Sequence, residues 1–188
     1  MIKAPSYPHL PPLQTPSASL TPSVHNERLF EPRPAPNFLI VGAARAGTTS
    51  LWQWLRGHPQ VFMTRYKEPA FFVHNFGVFN QEKYLSLFKA GRGKPCIGEA
   101  STAYLSSPES PPWIHDVLGR VKIIMVLRNP VARAYSMYCW LTMIGLEPLA
   151  TFEEALTQES RRMTSLPFRQ NCPIDFHNYQ YFNAGLYI

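Results

Sequence analysis

The chain reads as an α/β protein: a central parallel sheet with helices on both faces, in three α/β/α layers. Three observations predict this. Two apolar runs rich in β-branched residues, Phe38–Val41 and Lys122–Leu127, have the pattern of strands buried on both faces of a parallel sheet. Each leads through a short loop into a segment of helical spacing, Thr49–Arg56 and Pro130–Tyr138, and strand–helix alternation of this kind builds a parallel sheet. With 188 residues, 45% of them apolar, the chain can bury one sizeable core.

Nine of the 19 prolines precede Asn37: Pro5, Pro8, Pro11, Pro12, Pro16, Pro22, Pro32, Pro34 and Pro36. Each fixes φ and removes a backbone donor, so Met1–Pro36 is expected to be an extended or disordered leader, with the domain proper over 37–188. The first strand, Phe38–Val41, ends at Gly42. In the helix that follows, Leu51, Trp52 and Leu55 share the inner side. Val61–Met63 reads as a short second strand after the break at Gly57-His58-Pro59, and Glu82–Phe88 as a helix through Tyr84, Leu85 and Phe88. Cys96–Gly98 is a short strand entering a loop. Lys122–Leu127 is the second long buried strand, and the helix after it starts at Pro130, an acceptable first-turn residue. Thr151, with Glu154 three residues later, forms a capping box that opens a helix over Phe152–Glu159.

A formal charge of +6 favours an anionic partner. Nucleic acid is disfavoured because no module interleaving basic and aromatic residues is present. Cys96, Cys139 and Cys172 stand far apart and form neither a disulfide framework nor a zinc pattern, while His58, His74, His115 and His177 lack ligand spacing, so no metal is expected. There is no apolar stretch of about 20 residues to span a bilayer, and no apolar signal-peptide core at the N-terminus. A cytoplasmic protein is therefore expected.

Gly42-Ala43-Ala44-Arg45-Ala46-Gly47-Thr48-Thr49 lies between a strand and a helix, where backbone N–H groups and the helix dipole converge on an anion. A Walker A loop needs Lys where this chain has Thr48, and its cation sits inside the loop at Arg45. That substitution counts against a nucleotide kinase, as does the lack of an evident acidic magnesium ligand after the Lys122 strand. A second loop, Arg128-Asn129-Pro130-Val131-Ala132-Arg133-Ala134-Tyr135-Ser136, follows the other long strand. In an open parallel sheet ligands gather at such strand ends, so the Phe38 and Lys122 strands are expected to be neighbours with both loops at one edge. Arg133 reads as a solvated helix residue.

Together these two loops resemble the donor-binding motifs of the sulfotransferase family, whose donor is 3′-phosphoadenosine 5′-phosphosulfate (PAPS). The resemblance runs from Asn37 to the C-terminus. It implies a P-loop-like fold and assigns the 5′-phosphosulfate to Arg45, Ala46, Gly47, Thr48 and Thr49, and the 3′-phosphate to Arg128 and Ser136. Many members have Lys where this chain has Arg45.

Lys67-Glu68-Pro69-Ala70-Phe71-Phe72 pairs a base with a cation, which sulfuryl transfer to an alcohol requires: a carboxylate to take the hydroxyl proton and a positive charge beside the bridging oxygen. The run resembles the KExxFF element of glycosaminoglycan-type members, which implies Glu68 as general base and Lys67 at the sulfuryl group, without a metal. Gly98-Glu99-Ala100-Ser101-Thr102-Ala103-Tyr104-Leu105 resembles the acceptor-side loop and makes Glu99 and Tyr104 substrate candidates; a buried glutamate and a core-edge tyrosine are the alternative readings. Members often carry His at the place of Ala70, a polar contact missing here, and glycosaminoglycan enzymes commonly have Lys at the place of Ala100, whose absence counts against a polyanionic sugar. The implied acceptor is a hydroxyl of a carbohydrate, lipid or small molecule. Asn183–Ile188 resembles the start of a family helix, so the fold is expected to be incomplete at the C-terminus, and a nucleotide-binding remnant without turnover is the rival reading.

Overall fold

The computed structural model describes residues 34–73, 78 and 80–164, the last six by backbone alone. Most of the expected leader, His74, Cys172, His177 and the segment from Asn183 lie outside the described residues.

Four parallel strands, β1 (Phe38–Gly42), β2 (Val61–Met63), β3 (Cys96–Ala100) and β4 (Lys122–Met125), pair in the order β2-β3-β1-β4. The register sets Phe38 against both Gly98 and Lys122, so the two long apolar runs are neighbours. β1 is buried along its whole length because each of its faces meets a separate cluster. Leu39 and Val41 pack with Phe72, Tyr84, Phe88 and Ile114, whereas Phe38 and Ile40 pack with Trp52 and the inner side of helix α1 (Thr48–Arg56). This two-sided cover is why the strand's sequence is continuously apolar rather than alternating. Gly98 is required where it stands: a Cβ there would lie 2.3 Å from the Phe38 ring.

Helix α2 (Gln81–Ser86) is shorter than the expected Glu82–Phe88; Asn80 caps it by accepting from the Lys83 N–H, and Phe88 falls in the next turn, fully buried. A helix unread in the sequence, α3 (Ser110–Leu118), carries Pro in its first turn and supplies Ile114 to the core, with Trp113 and Val117 against it. Helices α4 (Pro130–Met143) and α5 (Phe152–Thr164) share a third cluster around Met137, Tyr138, Leu141 and Ala155. The capping box forms as expected, with the Glu154 N–H donating to Thr151 Oγ1 and the Thr151 N–H to Glu154 Oε2.

Two expectations are corrected. β4 is not a buried strand: Met125 is 57% exposed and Ile123 42%, because β4 ends the strand order and pairs only with β1 among the described residues. Arg133 is not solvated but 4% exposed, on the face of α4 that also buries Ala134 and Met137. No helix among the described residues is long and apolar enough to cross a membrane.

Because all strands run the same way, the segments after Gly42, Met63, Ala100 and Met125 emerge at one edge of the sheet. There they enclose the site.

Candidate functional site

One cavity of about 490 Å³ opens at that edge, lined by Arg45, Gly47, Thr48 and Thr49 of the first loop, Lys67 and Glu68 after β2, Thr102 after β3, and Arg128, Ser136 and Trp140 of the β4–α4 segment. Four stretches far apart in sequence thus meet, and residues expected to bind a donor share the cavity with the residues expected to do chemistry.

The first loop turns tightly enough to aim the start of α1 into this space. Gly47 is the N-cap residue, at φ 105, a left-handed conformation that glycine adopts without penalty. No side chain caps this helix, and the first-turn amides have no intrahelical acceptors, so they remain available to an anion. Ala46 donates its N–H to Ala43 O and shapes the turn; it does not line the cavity.

Lys67 occupies a place that sequence spacing did not disclose. Its Nζ donates to Thr48 Oγ1 at 3.0 Å and to Thr49 Oγ1 at 3.1 Å, and lies 3.3 Å from Glu68 Oε1. The cation missing from the loop at position 48 therefore arrives from the end of β2. Arg45 points elsewhere: its Nε donates to Ser136 Oγ at 3.2 Å, and its guanidinium carbon lies 5.9 Å from the centre of the Trp140 ring. Arg128 reaches across from the β4 end to donate to the Arg45 carbonyl at 3.1 Å, which puts both arginines at the same edge of the sheet.

Glu68 is held on its other side. The Thr102 N–H donates to Glu68 Oε2 at 2.7 Å and the Thr102 hydroxyl lies 3.3 Å from both carboxylate oxygens, while the Glu68 N–H donates to Ala100 O at 2.8 Å. Arg45 (φ 64), Glu68 (φ 60) and Ala70 (φ 49) are the non-glycine residues with positive φ among those described, and all three belong to the two loops at the cavity. Such conformations cost about 1–3 kcal/mol each and persist where surrounding contacts over-determine them.

The substrate role expected of Glu99 and Tyr104 is corrected by their placement. Glu99 is fully buried and Tyr104 2% exposed, and neither lines the cavity, because both lie under the β3 end, packed toward α2. Glu99 Oε1 accepts from the Tyr84 hydroxyl at 3.3 Å and Oε2 from the Ser101 hydroxyl at 2.8 Å. Burial pushes the Glu99 carboxyl up to about 7; the hydroxyls of Tyr104, Ser101 and Tyr84 partly offset that rise, and the Glu68 charge adds to it. Burial, then the Glu99 charge, raises both Tyr84 and Tyr104 well above the ordinary phenol value.

Thr102 and Trp140 were not read from the sequence as site residues. Thr102 carried a signal, since it follows directly on a strand that reaches the ligand edge. Trp140 carried one too: it stands four residues after Ser136 and so shares its helix face.

Comparison with known proteins gives a consistent result. The family model described as "Sulfotransferase domain" matches residues 35–171. The chain is 31% identical over 132 residues to the membrane-associated sulfotransferase kil1 of Dictyostelium discoideum, covering 66% of this chain and 28% of that protein. It is 33% identical over 147 residues to the bifunctional heparan sulfate N-deacetylase/N-sulfotransferase 2 of Bos taurus, covering 72% of this chain and 16% of that protein. Carbohydrate sulfotransferase 15 of Mus musculus is 28% identical, over 78% of this chain and 33% of its own length. Among solved structures, a sulfotransferase from Alicyclobacillus acidocaldarius matches with a TM-score of 0.72 and 34% identity, over 82% of this chain and 65% of that one. The chain spans about a third or less of the length of these curated relatives.

Proposed function

Because this chain belongs to the sulfotransferase family, we propose that it transfers a sulfuryl group from PAPS to a hydroxyl of a carbohydrate, lipid or other small acceptor. The observation that carries this reading is the junction of loop and catalytic pair: the Lys67 ammonium sits on the hydroxyls of Thr48 and Thr49 with the Glu68 carboxylate 3.3 Å away.

The cavity fits such a donor. Its volume of about 490 Å³ is in the range of small-molecule sites, and its charged lining is three cations, Arg45, Lys67 and Arg128, against one carboxylate. When bound, PAPS supplies an activated sulfuryl group on a phosphate leaving group. The α1 first-turn amides with Thr48 and Thr49 would hold the 5′ end, and Arg128 and Ser136 the 3′-phosphate, each charged hydrogen bond contributing about 1.5–3 kcal/mol. Arg45, tied to Ser136, joins these two subsites rather than serving the 5′ end alone.

Glu68 is the proton acceptor. Its Oε2 is fixed by the Thr102 N–H and its Oε1 faces Lys67, so the carboxylate is oriented, and it is 34% exposed toward the space an acceptor must enter. As the acceptor oxygen bonds to sulfur, its proton passes to Glu68 and the bond from sulfur to the nucleotide phosphate breaks. Lys67 offsets the charge that gathers on the departing oxygen. The names of the relatives favour a carbohydrate among the acceptor classes.

Two measurements test the reading. Titration calorimetry should show adenosine 3′,5′-bisphosphate binding more tightly than ATP with magnesium. Labelled-sulfate transfer from PAPS to a panel of hydroxyl compounds should show turnover. Tight ATP-magnesium binding alone points to kinase chemistry, and bisphosphate binding without transfer to any acceptor points to a remnant.

A further inference from the structure

The site as read needs Lys67 and Glu68 presented by one short turn, and that turn is held against the end of β3 by three bonds. The Glu68 N–H donates to Ala100 O at 2.8 Å, the Thr102 N–H to Glu68 Oε2 at 2.7 Å, and the Ala70 N–H to Ser101 Oγ at 2.9 Å. The first two draw on β3-side backbone that no side chain has to orient. The third depends on where a hydroxyl points.

Ser101 has one proton to give. Since its Oγ accepts from Ala70, that proton goes to Glu99 Oε2, 2.8 Å away. Ala70, Ser101 and Glu99 are all fully buried, so no water can take over if one partner is lost. Glu68 and Ala70, flanking Pro69, both hold positive φ, a backbone that relaxes unless its contacts over-determine it. Two loops are thereby coupled through a group the cavity never touches.

We propose that Glu99, acting through Ser101, is a positioning residue: it orients the hydroxyl that holds the Ala70 amide, and so fixes the turn that presents Lys67 and Glu68 to the cavity. As a role in transfer, this rests on the sulfuryl-transfer reading above. The titratable groups facing Glu99 are Tyr84 from α2, Tyr104 from the turn after β3, and Glu68 from the positioned turn itself. Burial keeps both phenols protonated, and the Tyr84 hydroxyl donates to Glu99 Oε1, which leaves Oε2 to Ser101. What Ser101 needs from residue 99 is an acceptor oxygen and not a charge. Glutamine supplies one and leucine does not. This separates positioning from a base role, which glutamine would abolish.

The test uses the full chain as parent, Ser101→Ala, Glu99→Leu and Glu99→Gln. Hydrogen–deuterium exchange is read at the Ala70 amide without ligand; labelled-sulfate turnover and the affinity for adenosine 3′,5′-bisphosphate are read beside it. Ser101→Ala and Glu99→Leu should speed Ala70 exchange by about tenfold or more and lower kcat by a similar factor, with bisphosphate affinity within about twofold of the parent. Glu99→Gln should stay near the parent in all three. Unchanged Ala70 exchange in Ser101→Ala, or Glu99→Gln behaving as Glu99→Leu, overturns the proposal. Should Glu99→Leu not fold, Ser101→Ala against Glu99→Gln decides it. A parent that binds the bisphosphate but transfers to no acceptor overturns the sulfuryl-transfer reading, while the exchange data still decide whether Glu99 holds the turn.

Discussion

The two walls of the cavity lie on opposite sides of β1 and are held by different means. The Lys67–Glu68 wall leans on β3, four of whose five residues are buried, and is fastened by backbone bonds over a buried polar cluster. The Arg128–Ser136 wall stands on β4, an exposed strand, and its polar groups hold one another: Arg128 on the Arg45 carbonyl, Arg45 on Ser136. Proton transfer and charge stabilisation, the roles proposed for the first wall, tolerate misplacement of only about half an ångström, so a rigid footing suits them. Anchoring a phosphate depends more on charge than on fine position, and that can be done by long side chains at an open edge. If this division is right, damage to the first wall should appear in rate or stability, and damage to the second in affinity.

The largest effect should come from the first wall. Glu68→Gln keeps the shape and the bond from Thr102 but removes the proposed base, so turnover should fall by about 10²- to 10⁴-fold while calorimetry finds the affinity for adenosine 3′,5′-bisphosphate little changed. Turnover that survives this change would break the comparison at its strongest point.

Next is the cost of keeping Glu99 buried. Below about pH 4.5 Glu99 is protonated in both folded and unfolded chains and costs nothing; between that pH and about 7 the folded chain keeps a proton that the unfolded chain has released. Stability therefore falls as pH rises through this window, by up to about 3 kcal/mol, and the loss is complete above it. Glu99→Gln should abolish that fall, so its stability relative to the parent should be greater at pH 8 than at pH 5 in denaturant titrations. A constant difference across that range would mean that Glu99 does not titrate with folding.

The strand-end logic made much of this legible in the sequence. Parallel strands send all their exits to one edge, so recognising Phe38–Val41 and Lys122–Leu127 as strands was enough to bring Arg45 and Arg128 together. The capping box at Thr151 and Glu154 was equally local. What stayed hidden depends on non-local neighbours. A run such as Lys122–Leu127 has the same composition whether a strand is central or at an edge, so the exposure of β4 could not be read from it. Arg133 looks like any helix cation until the face that α4 buries is known. Nothing in the spacing places Lys67 on Thr48 and Thr49, 19 and 18 residues away, because that depends on how far the turn after β2 folds back. Helix α3 was masked by Pro111 and Pro112, although Trp113, Ile114, Val117 and Leu118 repeat at helical spacing and proline is tolerated in a first turn.

On the second wall, Arg128→Ala should weaken binding of adenosine 3′,5′-bisphosphate by about ten- to a hundredfold, the loss of one charged bond to phosphate. At saturating donor kcat should stay within a few-fold of the parent. The affinity of the parent should also fall more steeply with added salt than that of the variant, since the variant has one fewer charge to screen. An equal drop in kcat and affinity would show that the β4 edge also positions the reacting groups, and the two walls would then act as one.

The smallest effect should belong to Trp140, and it tests whether the second wall is held together by its own side chains. The Arg45 guanidinium lies 5.9 Å from the Trp140 ring centre and also bonds Ser136, so ring and hydroxyl together keep that cation within the cavity. A cation over an indole at a partly exposed site contributes about 0.5–1 kcal/mol. Trp140→Leu keeps apolar bulk on α4 but removes the π face, and should weaken bisphosphate binding by about two- to fivefold with kcat unchanged. Trp140→Phe should fall between the parent and Trp140→Leu, because a phenyl ring keeps part of the attraction. The informative contrary result is a fall in kcat, or a rise in the acceptor KM, at constant bisphosphate affinity. It would move Trp140 from the donor's anchorage to the acceptor's side of the cavity, and Arg45 would then depend on Ser136 alone.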